Sequence, residues 1–530
     1  MRLTCRWLGP AATLALALWS VPGQAGSTDT AMYFHSYVRD APSCAMTAAE
    51  DGTIGFPDAI SAPAATCPDA FGWKQFLEAI QAEFWEQWAN DETVWVHDPK
   101  ALCTSGDQTD CCFVAPGETP QVGYRGADGQ PVQPADIGSP GVHCPYIPAD
   151  WGGSDETTFE GAKPITTHNT TFLRTLDEAR IARQREVEVV YRNDPFVRYT
   201  TAHELYSIPG LQKLFKRISG QAANSAPYRP EGQGVTYPSD AVMFKADWIP
   251  EETMLELGYI RDHDNDPATV PQDPDHPYIT MKIKASTAPD KPKTDGIYYL
   301  AAITGASKAL PNWHWYAFEH VNNLGRCDYT GCNDSYGFST EVTMASPMDK
   351  DQTITVQSNF IRPHVEKDEL EDGTDLFDTG KRYPSGQMND GLAALFRATG
   401  IGAGGEPVDA DMPNVSDPAW QSYRLKGTQT QFYTNDGYPT IVGASITEGG
   451  FVNTASCLSC HVQASVNAEG GPGTSVGSTG RLNLFGIGES VNGAPYTGDY
   501  YMRGTTDQHA VRVDYVWGIL FAESPKKSGE

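Results

Sequence analysis

Cys457-Leu458-Ser459-Cys460-His461, close to the C-terminal end of the 530-residue chain, is the stretch on which the reading of the whole sequence turns. It has the pattern C-x-x-C-H, the attachment signature of c-type haem. Two thiols separated by two residues can each reach one vinyl group of a porphyrin and form a thioether. The histidine that follows is then held under the ring with an imidazole nitrogen toward the iron. Short residues on either side (Ala455, Ser456, Ala464, Ser465) let a flat macrocycle lie close to the backbone. A zinc site would need a second Cys/His pair at ligand spacing, but no cysteine follows Cys460 and His509 stands alone. A thioredoxin-like redox pair would follow a strand in a cytosolic βαβ unit, which does not suit the exported context below. The spacing therefore predicts one covalent haem c on Cys457 and Cys460, with His461 as the proximal axial ligand.

The first 25 residues are laid out as a secretory signal peptide. Arg2 and Arg6 form the charged region, Ala11 to Trp19 the apolar run, and Gly23-Gln24-Ala25 a small-residue cleavage point. No run of the sequence reaches the length a bilayer span requires. The expectation is an exported chain without stable membrane insertion, in the periplasm, where haem is attached to thiols. Besides Cys5 and the haem pair, the sequence carries Cys44, Cys67, Cys103, Cys111, Cys112, Cys144, Cys327 and Cys332. An even set in an oxidising compartment predicts disulfides, whose connectivity spacing alone does not give. Cys327 and Cys332 are near enough to pair locally, whereas bridge geometry opposes a bond between the adjacent Cys111 and Cys112. The net charge of −29 repels nucleic acid and anionic lipid and favours a basic or neutral partner. The Asp-rich stretches at 262–266 and 366–378 lack the glycine and terminal glutamate of a calcium loop in register, and read as solvated loops.

Aromatic residues at 11% mark a folded rather than a disordered chain. After the signal (1–25), the sequence divides into a helical or irregular cysteine-rich region over 26–190, a β-rich middle over 191–380 and a C-terminal haem-binding region over 381–530. The fold class expected is α+β. In the first region Phe76, Ile80, Phe84 and Trp88 recur at helical spacing and predict a helix over 71–88. Arg and Glu at i,i+4 spacing predict a second helix over 172–190, and a third is expected over 202–218. In the middle, strands are predicted at 241–248, 278–285, 296–305 and 313–322. The last of these places His314, Tyr316, Phe318 and His320 on one face. A short helix over 391–398, a strand over 423–430, a helix opening near Cys457 and a closing helix over 514–523 complete the reading. Gly400 to Gly405 satisfies G-x-G-x-x-G, but it follows a helix instead of a strand and reads as a Gly-rich helix end.

Several segments together resemble a set of exported bacterial cytochrome c family proteins. They are Phe244 to Trp248, the W-x-W-x-x-F-E-H-V run from Trp313 to Val321 continuing to Asn323, Tyr423 to Gln429, Ser456 to His461, and Asp514 to Trp517. The resemblance covers about residues 190–530, and Asn322 departs from it where the pattern carries Asp. What it implies is the covalent haem and export; it does not imply a particular reaction.

The sixth iron position is open on sequence grounds. His320 lies on an aromatic strand face beside Glu319, as a haem edge would require, or else is a hydrogen-bonded core histidine. Met502, the only methionine after the haem motif, is the rival, with His314, His364, His203 and His509 behind it. The leading expectation is a periplasmic single-haem c-type cytochrome that passes electrons to a redox partner protein. The alternative is a haem-dependent peroxidase or oxygenase acting on a small-molecule substrate. Glu319 and His320 would then form a distal acid–base pair in a pocket built by the β-rich region.

Overall fold

The structure, a computed structural model, describes residues 40–90, 187–222, 234–261, 270–285, 294–328, 331–346, 351–361, 382–433, 440–448, 455–471 and 510–522. Positions 359 and 407 within those spans are excepted, and short pieces at 94–95, 163–164, 348, 502–503 and 507–508 are added. The signal region, Cys103, Cys111, Cys112, Cys144, His364 and His509 lie outside the described residues, as does 172–186 of the predicted second helix.

Helix α1 spans Pro68–Gln81. Proline at its first turn lacks only a donor that a helix leaves unpaired there anyway. Asp69 lies at the positive end of the helix dipole. Trp73, Phe76, Leu77 and Ile80 share one stripe and are fully buried. The helix expected over 71–88 is interrupted at Glu83, which adopts a left-handed conformation (φ 46°) before a short turn at Phe84–Gln87. Strand β1 (Val187–Arg192) follows, and then helices α2 (Asp194–Ala202) and α3 (Ile208–Ala222). Two expectations change here. The end of the helix predicted over 172–190 is strand, because Val187, Val189 and Tyr191 alternate into the core. The helix predicted over 202–218 begins only at Ile208, after a turn at 203–207 that separates α3 from α2, and runs on to Ala222.

The chain continues through β2 (Val242–Pro250), β3 (Thr280–Ala285), β4 (Thr294–Ser307), β5 (His314–His320), β6 (Phe338–Ala345), β7 (Thr353–Ser358), helix α4 (Asp390–Thr399), β8 (Tyr423–Gln429) and helix α5 (Cys457–His461). Gly400 ends α4 with φ 74°, which accounts for the G-x-G-x-x-G run as a helix terminus. The principal sheet has seven strands in the order β8-β5-β4-β2-β1 and then a two-residue strand at Lys163–Pro164; β3 pairs with the first half of β4. All its pairings are antiparallel. It draws strands from all three regions read in the sequence, with β8 contributed from beyond residue 380. A smaller sheet joins β7, β6 and Gln387–Met388. The structure is thus mixed helix and sheet, with two disulfides among the described residues, Cys44–Cys67 and the local Cys327–Cys332 pair expected from sequence. Among the described residues no helix is long and apolar enough to cross a membrane.

The sheet is covered on both faces. Alternate residues of β5 point opposite ways. Tyr316 and Phe318 join Trp73, Phe76, Tyr191, Phe244 and Leu425 under α1. Trp315 and Ala317 join Met243, Ala306, Leu458, Val462 and Val513 on the other side. β4 and β5 lie close: a Cβ at Gly305 would fall 2.1 Å from the Tyr316 ring, so only glycine fits there.

Candidate functional site

The C-x-x-C-H motif forms α5, a five-residue helix lying on the Trp315 face of the sheet. Ser456 caps it by accepting from the Ser459 N–H at 3.2 Å. Gln429, at the end of β8 and paired in register with Trp315, anchors the same turn. Its amide donates to Ser456 Oγ at 2.9 Å and to the Thr440 carbonyl at 2.8 Å. Its Oε1 accepts from the Leu458 N–H at 3.0 Å. Leu458 and Ser459 are buried, while Cys457, Cys460 and His461 are half-buried. Residues three apart on a helix share a face, so the two thiols lie on one side. They are not bonded to each other. Burial raises the pKa of both, Cys460 to about 11.

His461 Nδ1 lies 2.7 Å from the Tyr515 carbonyl oxygen. A carbonyl can only accept, so Nδ1 carries the hydrogen and Nε2 is left with its lone pair. This is the tautomer and orientation a metal-binding imidazole takes from its outer partner. Burial lowers the pKa of the ring to about 4, which keeps it neutral. The Trp315 ring is 4.4 Å from the His461 ring. Trp517 Nε1 donates to the Cys460 carbonyl at 3.2 Å. The closing helix expected over 514–523 is replaced by a tight turn and a 3-10 turn at Trp517–Phe521. Asp514 and Tyr515 hold positive φ (52° and 68°), and so does Trp313 across from them (63°). Such conformations cost on the order of 1–3 kcal/mol each and persist only where neighbours fix them. Here a buried Lys308–Asp514 ion pair (2.6 Å) and a bond from the Tyr237 N–H to Asp514 (2.7 Å) do so, and the turn aims the Tyr515 carbonyl at His461.

Beside α5 the same sheet face is charged. Lys245 of β2 lies 3.4 Å from Glu188 and 3.7 Å from Glu448. Burial opposes its charge, but Glu188, Glu448 and Asp247 outweigh this and hold the ammonium form. Asp247 accepts from the Thr447 hydroxyl. A bulge in β8 between Leu425 and Gly427 directs Lys426 to Glu319, at 3.3 Å and with both side chains fully buried. Glu319 also accepts from the Ser445 N–H (2.8 Å) and hydroxyl and from Asn323 Nδ2 (3.2 Å).

Among the described residues, the structure brings Cys457, Cys460 and His461 together and keeps His320 away from them. His320 is on the opposite face of β5 from Trp315. Its Nε2 faces the Pro277 carbonyl (3.1 Å), its Nδ1 accepts from the Asn322 N–H (3.2 Å), and Tyr278 stacks on it at 3.4 Å. It also sits five residues along the strand from Trp315, about 16 Å at the rise of extended chain. The aromatic face formed by His314, Tyr316, Phe318 and His320 is the wall of the core under α1: His314 packs 5.0 Å from Phe71 and lies 2.9 Å from the Pro68 carbonyl. Glu319 and His320 turn to opposite faces, so the acid–base pair is not assembled. Met502 falls in a two-residue strand paired with Asp507–Gln508, and its side chain lies outside the described residues. Sequence reasoning missed Trp315, Gln429 and Tyr515. The period-two pattern could have assigned Trp315 to the face opposite Tyr316 and Phe318, whereas nothing in the sequence marks the Tyr515 carbonyl.

The residues present fit a covalently held haem: two unbridged thiols on one helix face, a histidine with its lone pair on Nε2, and an aromatic neighbour. Compared with protein-family models, with curated proteins and with solved structures, the chain matches none.

Proposed function

We propose that the chain is an exported single-haem c-type cytochrome that carries electrons. The observation that carries this reading is the hydrogen bond from His461 Nδ1 to the Tyr515 carbonyl, next to two unbridged cysteines at C-x-x-C-H spacing. Cys457 and Cys460 would hold the porphyrin through two thioethers, and His461 Nε2 would be the proximal ligand. The bound group supplies a one-electron Fe(III)/Fe(II) couple. The chain's own part is positional. Ser456 and Gln429 fix the helix that presents the thiols, Tyr515 fixes the imidazole tautomer, and Trp315 with its apolar neighbours excludes water from one side. A dry, apolar shell and the hydrogen bond to the proximal imidazole are levers that set a haem potential. The absorption spectrum of the purified reduced protein, with and without carbon monoxide, tests the reading. A sharp c-type band that survives acid–acetone extraction and is unmoved by carbon monoxide is expected. A colourless protein with both thiols open to alkylation overturns it.

A further inference from the structure

The rings on the Trp315 face form a continuous row from His461 outward. Trp315 is 4.4 Å from His461, Trp313 is 6.4 Å from Trp315, and Tyr237 is 6.0 Å from Trp313. Tyr199 of α2 is 4.6 Å from Tyr237, and His203 is 4.2 Å from Tyr199. Trp313, Trp315 and Tyr237 are buried, Tyr199 is half-buried and His203 is exposed, so the row runs from the motif to the surface. Three contacts hold its middle in place: Thr200 Oγ1 to the Tyr237 hydroxyl (3.0 Å), the Thr236 N–H to the Tyr199 hydroxyl (2.8 Å), and Trp315 Nε1 to the Asn312 carbonyl (2.9 Å). The surface where it ends has unusual charge for this chain. Across 194–222 the sequence carries Arg198, Lys213, Lys216 and Arg217 against Asp194 and Glu204, in a protein of net charge −29. Arg198 pairs with Asp194 and Lys213 with Glu204 (2.6 Å), which leaves the exposed Lys216 and Arg217 as the excess charge, and Arg217 acts electrostatically on both Tyr199 and His203.

We propose that Trp315, Trp313, Tyr237 and Tyr199 conduct electrons between the C-x-x-C-H centre and the surface at His203, where a one-electron redox protein presenting an acidic patch docks. This rests on the haem reading above and names the partner's chemistry. Electron tunnelling weakens exponentially with the width of an empty gap, and closely spaced rings leave few such gaps. One electron leaves the reduced centre and arrives on the docked acceptor. The centre is oxidised, the acceptor is reduced, no bond forms or breaks, and no ring is itself oxidised. Net charge alone favours a basic or neutral partner; the local cations reverse that expectation at this one place, because steering depends on the field at the docking site.

The test compares oxidation of the reduced holoprotein by ferricyanide, an anion, and by tris(phenanthroline)cobalt(III), a cation, in stopped flow. Each sample is first checked for its haem band; a protein without one refutes the haem reading and not the route. The double variant K213E/R217E, at exposed positions, is expected to slow ferricyanide by about tenfold, the lower end of what electrostatic steering supplies, and not to slow the cobalt complex. Tyr199→Leu is expected to slow ferricyanide several-fold without changing the salt dependence. Carbodiimide cross-linking of the holoprotein to an acidic plant-type ferredoxin, mapped by mass spectrometry, is expected to join it at Lys213 and Lys216. Wild-type rates in both variants with the haem band intact, or cross-links confined to other lysines, overturn the proposal.

Discussion

On one face of β5, Tyr316 and Phe318 pack against the aromatic core under α1, with Phe318 stacked 4.3 Å from Phe76 and 4.8 Å from Trp73. One residue along the same strand, Trp315 meets His461 and Glu319 meets Lys426. Both faces are buried, yet they are built from different interactions. The α1 face is almost wholly apolar, and each large side chain removed from water there stabilises the fold by about 1.5–3 kcal/mol. The other face buries charges, whose attraction must first offset the desolvation of both partners. Such a face is weak support for stability, but it fixes positions, since each ion and amide has one arrangement that satisfies it. The two faces divide the work: one holds the sheet together and the other sets where α5 stands.

The sharpest break between them concerns Phe76→Ala. It empties a fully buried ring from the α1 face and is expected to cost about 3–5 kcal/mol, read as a shift in the urea midpoint. If the chain carries the proposed haem, the molecules that remain folded should keep it, because Phe76 packs among the rings under α1 and not on the Trp315 face. Loss of haem in step with stability would show that the two faces are not separable. Lys426→Met acts on the other face. It leaves the Glu319 carboxylate buried beside Ser445 and Asn323 without its cation, at an expected cost of about 3 kcal/mol. The double variant E319Q/K426M should recover most of this loss, since the neutral amide removes the uncompensated charge and keeps an acceptor for the Ser445 N–H. A double variant no more stable than the single one would mean that the ion pair itself stabilises the sheet.

The sequence announced the strands well. β2, β3, β4, β5 and β8 lie within a few residues of their expected places, because alternation of apolar residues is a local property that survives folding. The even positions of β5 were grouped correctly as well. Their role stays open in the sequence: an aromatic strand face suits a haem edge and a helix-packed core equally, and which one it meets depends on α1, more than two hundred residues earlier. The expectation of helix through residue 190 fails at Val187 for a related reason. Charged residues at i,i+4 spacing support a helix but do not exclude a strand at its end, where Val187, Val189 and Tyr191 take their conformation from β2. The motif itself was fully legible, since C-x-x-C-H is contiguous. Its supports were not, because Gln429, Trp315 and Tyr515 converge on it from three distant segments, the last through a backbone carbonyl that any residue could offer.

The α1 face has one polar margin, and that margin responds to pH. Asp40, Asp69 and Asp334 cluster where α1 begins. Asp40 accepts from the Ala70 N–H at 2.6 Å, Asp69 from Thr428 Oγ1 at 2.8 Å, and Asp334 from Trp73 Nε1 at 3.0 Å. Burial, and then the charge on Asp69, raise the pKa of Asp40 to about 8 and of Asp334 to about 7, from an ordinary 3.8. A raised folded-state pKa means that the folded chain binds protons the unfolded chain has released. Their stabilisation is complete below about pH 4 and is lost as pH rises through 7 to 8. The share of the melting temperature that this cluster controls should therefore fall between about pH 5 and about pH 8. Asp334→Asn should flatten that slope. A melting temperature that rises over the same interval would place the proton-linked groups elsewhere.

The smallest expected effect is at Gln429, and it tests whether the charged face positions α5 or only covers it. Gln429 is fully buried and serves three partners at once: Thr440, Ser456 and the N–H of Leu458. The Leu458 N–H is among the first-turn donors a helix cannot satisfy internally. Gln429→Leu keeps much of the volume but leaves that donor and the Ser456 cap without their partner, at an expected cost of about 1–2 kcal/mol. If the amide holds the turn that presents Cys457 and Cys460, the fraction of chains carrying covalent haem should fall further than the loss of folded protein explains. Gln429→Glu keeps an acceptor for Leu458 while losing the donors to Thr440 and Ser456, and should fall between wild type and Gln429→Leu in haem occupancy. Equal occupancy in all three would mean that the Ser456 cap and the Tyr515 carbonyl suffice to place the motif, and that Gln429 belongs to the sheet alone.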